Sequence, residues 1–416
     1  MLVRIVRHEV ELMSRNFFYI AQFFTPEPYL KDIDFIKKIR EKGWNPVVIT
    51  GFPNYPKGKI YTGYKNRFFA EETMDGIKVV RVLTYADHSL SAFKRALNYF
   101  VFGFFAALAV LKYGKRNSFY YILQSSPLVI FCAWAVRISK PKSKILLDIQ
   151  DVFPENIRVS GFIKSKIIIN ILDFLLHHFY YKTFDLFVTV SESFREIIAS
   201  KNISRDRILT LYNWSMIENR PNLNTPSHQF ENEGFHIVYA GNIGVHQGLS
   251  KLGSGINRIT EINSQIFFHF FGDGTDFDEF EKKVGHNKNV ILYGRVSENE
   301  IGKYLLAANA LFLHLIKDPI YESIIPSKLQ AYIGIAKPLL AGIEGEARAI
   351  ITDAQLGEVF QSEDSKGFEE AALKLIQYPQ ERVERIRESS LNLYTEKFSR
   401  AAGAERLNVF LYKNTR

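Results

Sequence analysis

The stretch FHIVYAGNIGVHQGL (235–249) contains the pattern on which the fold prediction depends, an apolar run that ends at a glycine turn. Runs of this kind recur along the chain and alternate with stretches of helical periodicity. Strands that are apolar on both faces are typical of parallel sheets covered by helices. The first series lies at 17–22, 46–50, 77–83, 119–124, 144–150 and 185–190, and the second at 235–241, 265–272, 289–294, 310–315 and 337–342.

A break rich in Asn, Pro and Ser, NLNTPSHQFENEG (222–234), separates the two series and is interpreted as a linker. A chain of 416 residues is too long for one ordinary core, which favours two domains of about 200 residues each. The predicted fold class is α/β, with two tandem Rossmann-like doubly wound domains facing a cleft. We expect a tail at 1–14, an N-terminal domain at 15–215, a linker at 216–234, a C-terminal domain at 235–396, and a terminal helix at 397–416.

Composition restricts the class of protein. A hydrophobic content of 47% and a mean hydropathy near zero are typical of a folded soluble protein. The single cysteine, Cys132, excludes an intramolecular disulfide and suits a reducing compartment. The first residues lack an apolar segment of signal-peptide length, so no signal peptide is expected.

The net charge of +9 suits nucleic acid, anionic lipid or phosphorylated substrates alike. The basic residues are scattered among aromatics without any nucleic-acid-binding motif, so nucleic acid is the weaker choice of partner. His177, His178 and His246 show no metal-ligand spacing, and no metal is expected.

Unusual residues follow the predicted strands, where ligands bind in doubly wound sheets. The turn GNIG (241–244) would let a backbone approach a phosphate, although strand-to-helix turns use glycine for structural reasons as well. In PIYESIIPSKLQAYIGIAKPLLAG (319–342), Lys328 falls in the first turn of a predicted helix. A cation there opposes the helix dipole unless an anion is near, so Lys328 is the sharpest local indication of a bound phosphate.

Several of these residues also have purely structural interpretations. Ser327 and Gln330 match an S-x-x-Q capping box, which needs no ligand. Glu322 fits a solvated loop carboxylate equally well, and Asp148 and Asp151 fit ordinary turn and cap residues. These alternatives stay open on the local sequence.

The stretch KRALNYFVFGFFAALAVLKYGKR (94–116) is apolar from Leu97 to Leu111 and is flanked by cations. The apolar part is shorter than the roughly 20 residues that cross a bilayer. The pattern fits either a buried helix of the first domain or a helix that lies in a membrane interface.

Longer motifs in the chain resemble those of the family 4 glycosyltransferases of the GT-B fold, and more closely the bacterial O-antigen and capsule subgroup that includes L-fucosamine transferase-like (WbuB-like) enzymes. The similarity extends from about residue 17 to the C-terminus. The motifs are ITGFPNYPKGKIYTGYKNR, LLDIQDVFPENI, LYNW, YAGNIGVHQGL and IPSKLQAYIGIAKPLLA.

The resemblance implies a retaining, metal-independent transferase without a cofactor, which uses a nucleotide-sugar donor that is UDP-linked. The implied acceptor is a saccharide on a polyprenyl diphosphate, which places the enzyme peripherally on the inner, cytoplasmic face of the cytoplasmic membrane in O-antigen, capsule or exopolysaccharide biosynthesis. In this fold the last helix returns to the first domain. Leu407, Phe410 and Leu411 have the spacing of such a helix.

The resemblance also assigns roles to residues of this sequence. Glu322 matches the first carboxylate of the family's E-x7-E motif, and the second falls on Gln330, an amide without the charge. Gln150 stands where many relatives have a histidine that reaches the 6-hydroxyl group of the donor sugar. Glutamine at this position implies a donor without that hydroxyl group, a 6-deoxy sugar such as an N-acetyl-L-fucosamine nucleotide. The expected catalytic residues are Glu322, Asp151 and Lys328; the donor-binding residues are Gly244, Arg295, Ser327, Lys328, Gln330 and Gln150; and the acceptor-side residues are Asn54, Tyr55 and Lys57.

Two other functions share this architecture. A nucleotide-sugar 2-epimerase needs no acceptor loop, so GFPNYPKGK (51–59) counts against it. A catalytically inactive partner in a polysaccharide assembly complex is favoured slightly by Gln330 in place of the carboxylate.

Overall fold

The computed structural model of the protein describes residues 15–29, 31–87, 91–151, 174, 179–214 and 228–415. They form two compact units. Unit 1 holds the described residues up to Val190, together with Phe194–Leu211 and Ala404 onward, whereas unit 2 holds Ser191–Ser193 and Tyr212–Gly403.

Unit 1 ends at Leu211 and resumes at Ala404, where the expected positions were 215 and 397, and unit 2 begins at Tyr212 instead of at 235. The expected tail at 1–14 and most of the expected linker at 216–234 lie outside the described residues. Tyr212 belongs to unit 2 because its ring packs on Phe398 at 5.0 Å and its hydroxyl donates a hydrogen bond to Glu346. At the other end, Trp44 of unit 1 donates a hydrogen bond to Asn408 at 3.0 Å. The final part of the last helix therefore packs in unit 1 from Ala404 onward.

Unit 1 contains an eight-stranded sheet in the order β3-β4-β2-β1-β5-β6-β7-β8, in which only the pairing of β3 with β4 is antiparallel. The central strands are almost entirely buried, as their apolar sequences predict. The strands are β1 (Asn16–Ala21), β2 (Asn45–Gly51), β3 (Phe69–Met74), β4 (Ile77–Val82), β5 (Phe119–Leu123), β6 (Lys144–Ile149), β7 (Leu186–Thr189) and β8 (Ile208–Thr210).

The helices of this part of the chain begin and end at recognisable signals. The first is capped by Asp32, whose carboxylate accepts a hydrogen bond from the Phe35 amide at 3.1 Å. Neither β3 nor β8 is predicted by its sequence, because β3 is a half-exposed edge strand and β8 is very short. The helices are α1 (Ile33–Glu41), α2 (Ala92–Tyr113), α3 (Ile130–Ser139) and α4 (Glu192–Ala199).

Unit 2 contains a six-stranded parallel sheet in the order β11-β10-β9-β12-β13-β14. The chain adds strands in one direction from β9 and in the opposite direction from β12, so the strand order reverses between these two strands. Their carboxyl ends therefore form the topological switch point, where such sheets bind ligands. The strands are β9 (Phe235–Ala240), β10 (Ile266–Phe271), β11 (Val290–Gly294), β12 (Ala310–His314), β13 (Leu339–Gly342) and β14 (Gly357–Phe360).

Apolar side chains from both faces of this sheet pack against the surrounding helices and form two cores. The helices are α5 (Gly253–Ile262), α6 (Phe277–Val284), α7 (Glu298–Ala307), α8 (Pro319–Glu322), α9 (Ser327–Ile335), α10 (Gly345–Asp353), α11 (Ser365–Ile376), α12 (Gln380–Leu393) and α13 (Arg400–Lys413).

Candidate functional site

The glycine turn after β9 lies at the switch point of unit 2 and contacts the start of α9. Gly241 has φ +136°, a conformation that favours glycine, and a Cβ atom there would overlap the Lys328 side chain. The absence of a side chain at Gly241 is therefore what lets Lys328 lie across the turn. Two motifs that are distant in the sequence meet at this point.

Lys328 is a half-buried cation without an ion-pair partner among the described residues. Its Nζ atom lies 3.5 Å from the Asn242 carbonyl oxygen and 4.7 Å from the centroid of the Tyr239 ring. Burial lowers the pKa of Lys328 from 10.5 to about 8, because few water molecules can solvate the ammonium. An anion bound beside it would restore the charge balance.

Backbone amides of the GNIG turn and of the next residue are bonded within the protein, and those of Gly241 and Ile243 donate to the backbone carbonyls of Phe271 and Asp273. The Gly244 N–H donates to Gln247 Oε1 at 3.1 Å, and Asn242 Nδ2 donates to the same oxygen at 3.1 Å. The Val245 N–H donates to Thr275 Oγ1 at 3.3 Å. The Gly244 amide, expected to face a phosphate, thus has the Gln247 amide oxygen as its acceptor in this structure.

The first turn of α9 does not form the predicted capping box. Pro326 is the N-cap residue, and Ser327 already occupies the first helical position without a side-chain capping bond. Pro326 has φ −60° and ψ 138°, so the extended residue lies one position earlier than the S-x-x-Q pattern requires. The structural interpretation of Ser327 and Gln330 as a capping pair is therefore wrong.

Gln330 is 3% exposed, yet its side-chain amide forms no hydrogen bond with the part of the chain that the structure describes. Its amide atoms are not among the fully enclosed side-chain atoms that lack a partner, so they are open to a ligand or to water. Ser327, by contrast, is exposed in the first turn of the helix.

Glu322 ends the short helix α8 and is exposed. Its carboxylate has no hydrogen-bond or ion-pair partner among residues 228–415 or the other described ranges. Its backbone lies against Gly345, which has φ +65° and whose Cβ would overlap the Glu322 backbone. Glycine at the start of α10 therefore fixes where Glu322 sits.

Arg295 follows β11 and is connected to the glycine turn through one acidic residue. Its Nε atom lies 3.3 Å from Asp273 Oδ2, in an exposed pair. The backbone carbonyl of Asp273 accepts a hydrogen bond from the Ile243 N–H at 3.0 Å. The loops after β9, β10 and β11 are thus connected at one edge of the sheet.

His314, at the carboxyl end of β12, was not predicted as a site residue. Its Nε2 atom accepts a hydrogen bond from the Glu363 N–H at 3.0 Å, so Nδ1 carries the proton and donates to the Gln247 carbonyl at 2.5 Å. Burial lowers the pKa of His314 to about 4 and keeps the ring neutral. A polar ring at the end of the apolar run ALFLHL was the signal that could have identified it.

In unit 1, the region around Gln150 is organised by a buried ion pair. Asp148 Oδ2 accepts from Lys31 Nζ at 2.5 Å and from the Tyr121 hydroxyl at 2.6 Å, and both Lys31 and Asp148 are buried. Asp148 Oδ1 accepts from Gln150 Nε2 at 2.8 Å. Asp148 is therefore the centre of a buried network rather than an ordinary turn residue, whereas Asp151 is exposed.

The Glu27 carboxylate fixes the predicted acceptor-side loop through hydrogen bonds to the loop backbone. This carboxylate accepts hydrogen bonds from the backbone N–H groups of Asn54 at 2.7 Å and Tyr55 at 2.8 Å. Burial raises the pKa of Glu27, although these bonds oppose the shift. Asn54 is fully buried and its side-chain amide donates to the Phe52 carbonyl at 2.8 Å, whereas Lys57 is exposed.

Within the described ranges, no group of three or more His, Cys, Asp and Glu side chains is placed to hold a metal ion. His246 packs near the Tyr321 ring, at 5.8 Å between centroids. His177 and His178 lie outside the described residues.

Comparison with known proteins extends these observations. Residues 222–391 match the family described as Glycosyl transferases group 1. The probable glycosyltransferase WbjE of Pseudomonas aeruginosa is 27% identical over 229 residues, which cover 51% of this chain and 55% of that protein. The chain thus matches about half the length of this relative.

Solved structures match nearly the whole chain at low identity. An E. coli structure, described as trehalose-6-phosphate bound with UDP-2-fluoro glucose, has a TM-score of 0.69 at 10% identity and covers 96% of this chain and 99% of its own. The catalytic domain of starch synthase IV from Arabidopsis thaliana, bound to ADP and acarbose, has a TM-score of 0.68 at 13% identity, with coverages of 97% and 99%.

Alr3699/HepE from Anabaena, in complex with UDP and glucose, has a TM-score of 0.60 at 11% identity, with coverages of 96% and 99%. At such identities the likeness shows the fold alone. The chain has the GT-B fold, and its residues 222–391 are similar to the glycosyl transferases group 1 family.

Proposed function

We propose that the protein is a glycosyltransferase that moves a sugar from a nucleotide-sugar donor to an acceptor, and that unit 2 binds the donor diphosphate at its switch point. The observation that carries this proposal is Lys328, a cation without an ion-pair partner among the described residues, held against the glycine turn after β9. A bound diphosphate would supply the negative charge that pairs with the Lys328 ammonium group.

The proposed chemistry is the stabilisation of a leaving group. Transfer breaks the bond between the anomeric carbon and the diphosphate oxygen and forms a bond to an acceptor hydroxyl, whose proton passes to the leaving diphosphate oxygen. Negative charge accumulates on the leaving diphosphate, so a fixed cation and free helix N–H groups lower the barrier. Lys328 and the N-terminal turn of α9 supply both.

The other residues of this corner receive roles by the same logic. The buried amide of Gln330 has hydrogen-bonding capacity for a ribose hydroxyl, and the exposed carboxylate of Glu322 is available to the donor sugar. Ser327 lies in the same first turn of α9, and Arg295 is assigned to the nucleoside. For Gly244, the proposal is that a phosphate oxygen replaces Gln247 Oε1 as the acceptor of its N–H.

The comparisons support the class of donor. The group 1 match covers the unit that contains Lys328, and the solved relatives were bound to UDP-2-fluoro glucose, ADP or UDP with glucose. A UDP-linked donor is therefore the first choice. The finer proposal follows from the resemblance: a retaining, metal-independent family 4 enzyme that transfers a 6-deoxy amino sugar such as N-acetyl-L-fucosamine.

The acceptor side of the proposal is a saccharide on a polyprenyl diphosphate, used in O-antigen, capsule or exopolysaccharide biosynthesis at the cytoplasmic face of the membrane. The similarity to WbjE, a probable glycosyltransferase, supports sugar transfer, and the acceptor follows from the resemblance. Tyr55 and Lys57 are the proposed acceptor contacts, on the loop that Glu27 holds. Asp151, exposed after the buried network of Asp148, keeps its proposed catalytic role.

The central experiment compares wild type with Lys328→Ala in UDP binding and in sugar transfer. Lys328→Ala should lower kcat/KM by roughly 100-fold or more, because the leaving-group charge is largest in the transition state. Lys337→Ala is the matched control, since burial also lowers the pKa of Lys337 but it follows the opposite end of α9. Equal losses in both variants, or none in either, would contradict the assignment.

The donor sugar is tested separately with Gln150→His. Wild type should transfer 6-deoxy sugars better than hexoses with a 6-hydroxyl group, and the variant should reduce that preference. Transfer of hexoses by wild type at an equal or higher rate would exclude the proposed reason for Gln150.

A nucleotide thermal-shift screen separates the competing functions. An inactive partner should show no stabilisation by any nucleoside diphosphate. A 2-epimerase should interconvert or release its nucleotide sugar without an acceptor, whereas a transferase should need one to turn over.

A further inference from the structure

Unit 1 exposes large apolar side chains on its helices α2 and α3. Phe93 is 77% exposed, and Phe100, Phe104 and Trp134 are each nearly half exposed. Phe68, on the loop before β3, is 66% exposed. We call Phe68, Phe93, Phe100, Phe104, Leu111, Trp134 and Ile138 the aromatic strip, because aromatic rings provide most of its surface.

The positions in α2 share one side of the helix. Phe93, Phe100, Phe104 and Leu111 are spaced so that they fall within about 40° of one another at 3.6 residues per turn. The opposite side of α2 packs into unit 1, where Phe102 and Ala106 are buried. Only 33% of the apolar window in Phe93–Tyr113 is buried, although this helix is long and apolar enough to cross a membrane.

Ring contacts connect the two helices into one continuous surface. Phe100 stacks on Phe104 at 6.1 Å and meets the edge of Phe131 at 5.8 Å, and Phe131 packs on Trp134 at 5.7 Å. On the other side, Phe105 contacts Phe104 at 5.4 Å. A contiguous apolar surface of this kind marks an interaction site in a folded protein.

Exposed cations lie beside the C-terminal end of the strip. Lys112, Lys115 and Arg116 are exposed, and none of them forms an ion pair with a residue in the described ranges. Lys140, which follows α3, donates a hydrogen bond to the Leu111 carbonyl at 3.2 Å and adds a fourth positive charge. Aromatic rings next to unpaired cations match the chemistry of an anionic lipid surface.

We propose that the aromatic strip docks on an anionic lipid bilayer, with its rings at the boundary between headgroups and acyl chains and Lys112, Lys115 and Arg116 on lipid phosphates. The helix lies in the interface and does not cross it, because its other side is fixed in unit 1. The Cys132 thiol approaches the Gly103 carbonyl there, at 3.8 Å, and a Cβ at Gly103 would press against the Leu128 carbonyl. This inference goes beyond sugar transfer and stands on its own observations.

The chain contains its own reporter for this contact. Of its three tryptophans, Trp44 and Trp214 are each 1% exposed, whereas Trp134 in the strip is 47% exposed. Vesicles of phosphatidylglycerol and phosphatidylethanolamine should therefore shift the emission of the full chain to shorter wavelength. Brominated acyl chains should quench it, and Trp134→Phe should remove both effects.

Variants test which residues carry the binding. Phe100→Ser combined with Phe104→Ser should weaken vesicle binding at least tenfold, while Val409→Ser, a 59% exposed apolar residue on α13, should leave it unchanged. Replacing Lys112, Lys115 and Arg116 with glutamate should abolish the preference for phosphatidylglycerol over phosphatidylcholine vesicles. This charge variant keeps the test decisive if the serine variant fails to fold.

Two outcomes would overturn the proposal. One is the absence of binding to anionic vesicles by a folded protein. The other is a dimer in solution that the serine variant dissociates, without any emission shift on vesicles, which would make a second copy the occupant of the strip. Vesicle binding needs no nucleotide, and transfer to a water-soluble acceptor should persist in the strip variants. Failure of the membrane-docking proposal is therefore distinguishable from failure of the proposed transferase activity.

Discussion

Replacing Lys328 with methionine should stabilise the protein while it removes binding of nucleoside diphosphates. The ammonium group is half-buried against the Tyr239 ring, without a carboxylate partner among the described residues. Burial lowers the pKa of Lys328 from 10.5 to about 8. Methionine keeps an unbranched side chain and removes the charge that the folded state solvates poorly.

The lowered pKa of Lys328 determines how the stability difference between Lys328→Met and wild type changes with pH. Below about pH 8 both the folded and the unfolded protein carry the charge, so the folded state bears the full desolvation cost. Between pH 8 and 10.5 the folded protein has lost the proton while the unfolded chain still holds it. The desolvation cost of the Lys328 ammonium group therefore decreases as the pH rises through this range. The advantage of Lys328→Met should therefore be present at pH 7 and nearly absent at pH 10.

The shift in the pKa of Lys328 also sets an upper bound on the gain in unfolding free energy of Lys328→Met. One pKa unit corresponds to about 1.4 kcal/mol, so the full shift would amount to about 3 kcal/mol. Solvent screening of a half-buried side chain reduces this figure by about half. Loss of the cation–π contact with Tyr239 subtracts roughly 0.5–1 kcal/mol more. We expect a net gain of about 1 kcal/mol at pH 7.

Urea unfolding of wild type and Lys328→Met at pH 7 and pH 10 measures this difference. Lys366→Met is the matched control, because Lys366 is a lysine of unit 2 that is 86% exposed. UDP should raise the unfolding midpoint of wild type and of the control but not of Lys328→Met. If Lys328→Met were less stable than wild type at pH 7, or if its advantage were the same at pH 10, the reasoning would be wrong.

Further predictions concern the loop and the buried network. Gln247→Ala should free the Gly244 N–H and tighten UDP binding by about two- to tenfold in calorimetry, since a net hydrogen bond is worth about 0.5–1.5 kcal/mol; weaker binding would show that Gln247 itself holds the ligand. Lys31→Met should lower the free energy of unfolding by about 3–5 kcal/mol, because it leaves Asp148 buried without its cation; the added change Asp148→Asn should recover part of that loss in urea unfolding. His314→Ala should raise the KM for the donor more than it lowers kcat, since it removes the tether on the Gln247 carbonyl; an unchanged KM would exclude a role in loop positioning.

The local sequence was sufficient to predict a feature when the interactions that determine it lie within one short segment. Parallel strands buried on both faces are apolar throughout, so the run at 235–241 predicted β9 (Phe235–Ala240) closely. The edge strand β3 alternates between half-buried and exposed residues and escaped that criterion. Likewise, a cation in the first turn of a helix conflicts with the dipole locally, and this identified Lys328 before any contact was known.

Start signals of helices were less reliable because two of them overlapped. Pro326 and Ser327 each fit the beginning of α9, and the S-x-x-Q pattern favoured the serine. In the structure Pro326 is the extended residue before the helix, with φ −60° and ψ 138°, so the helix begins at Ser327. A shift of one residue changed the interpretation of Gln330 from a capping partner to a buried amide without a protein partner in the described ranges.

The sequence alone thus determined the two α/β sheets, the glycine turn after β9 and the unusual lysine in α9, since strand burial and helix dipoles act within short segments. Folding in three dimensions decided which distant groups meet. Lys31 pairs with Asp148, which is 117 positions away, and Lys328 lies across Gly241. It also decided which side of α2 is exposed. Both sides of that helix are apolar, so periodicity could not distinguish Phe102 in the core from Phe100 in the aromatic strip; only the packing of α3 and the sheet makes them different.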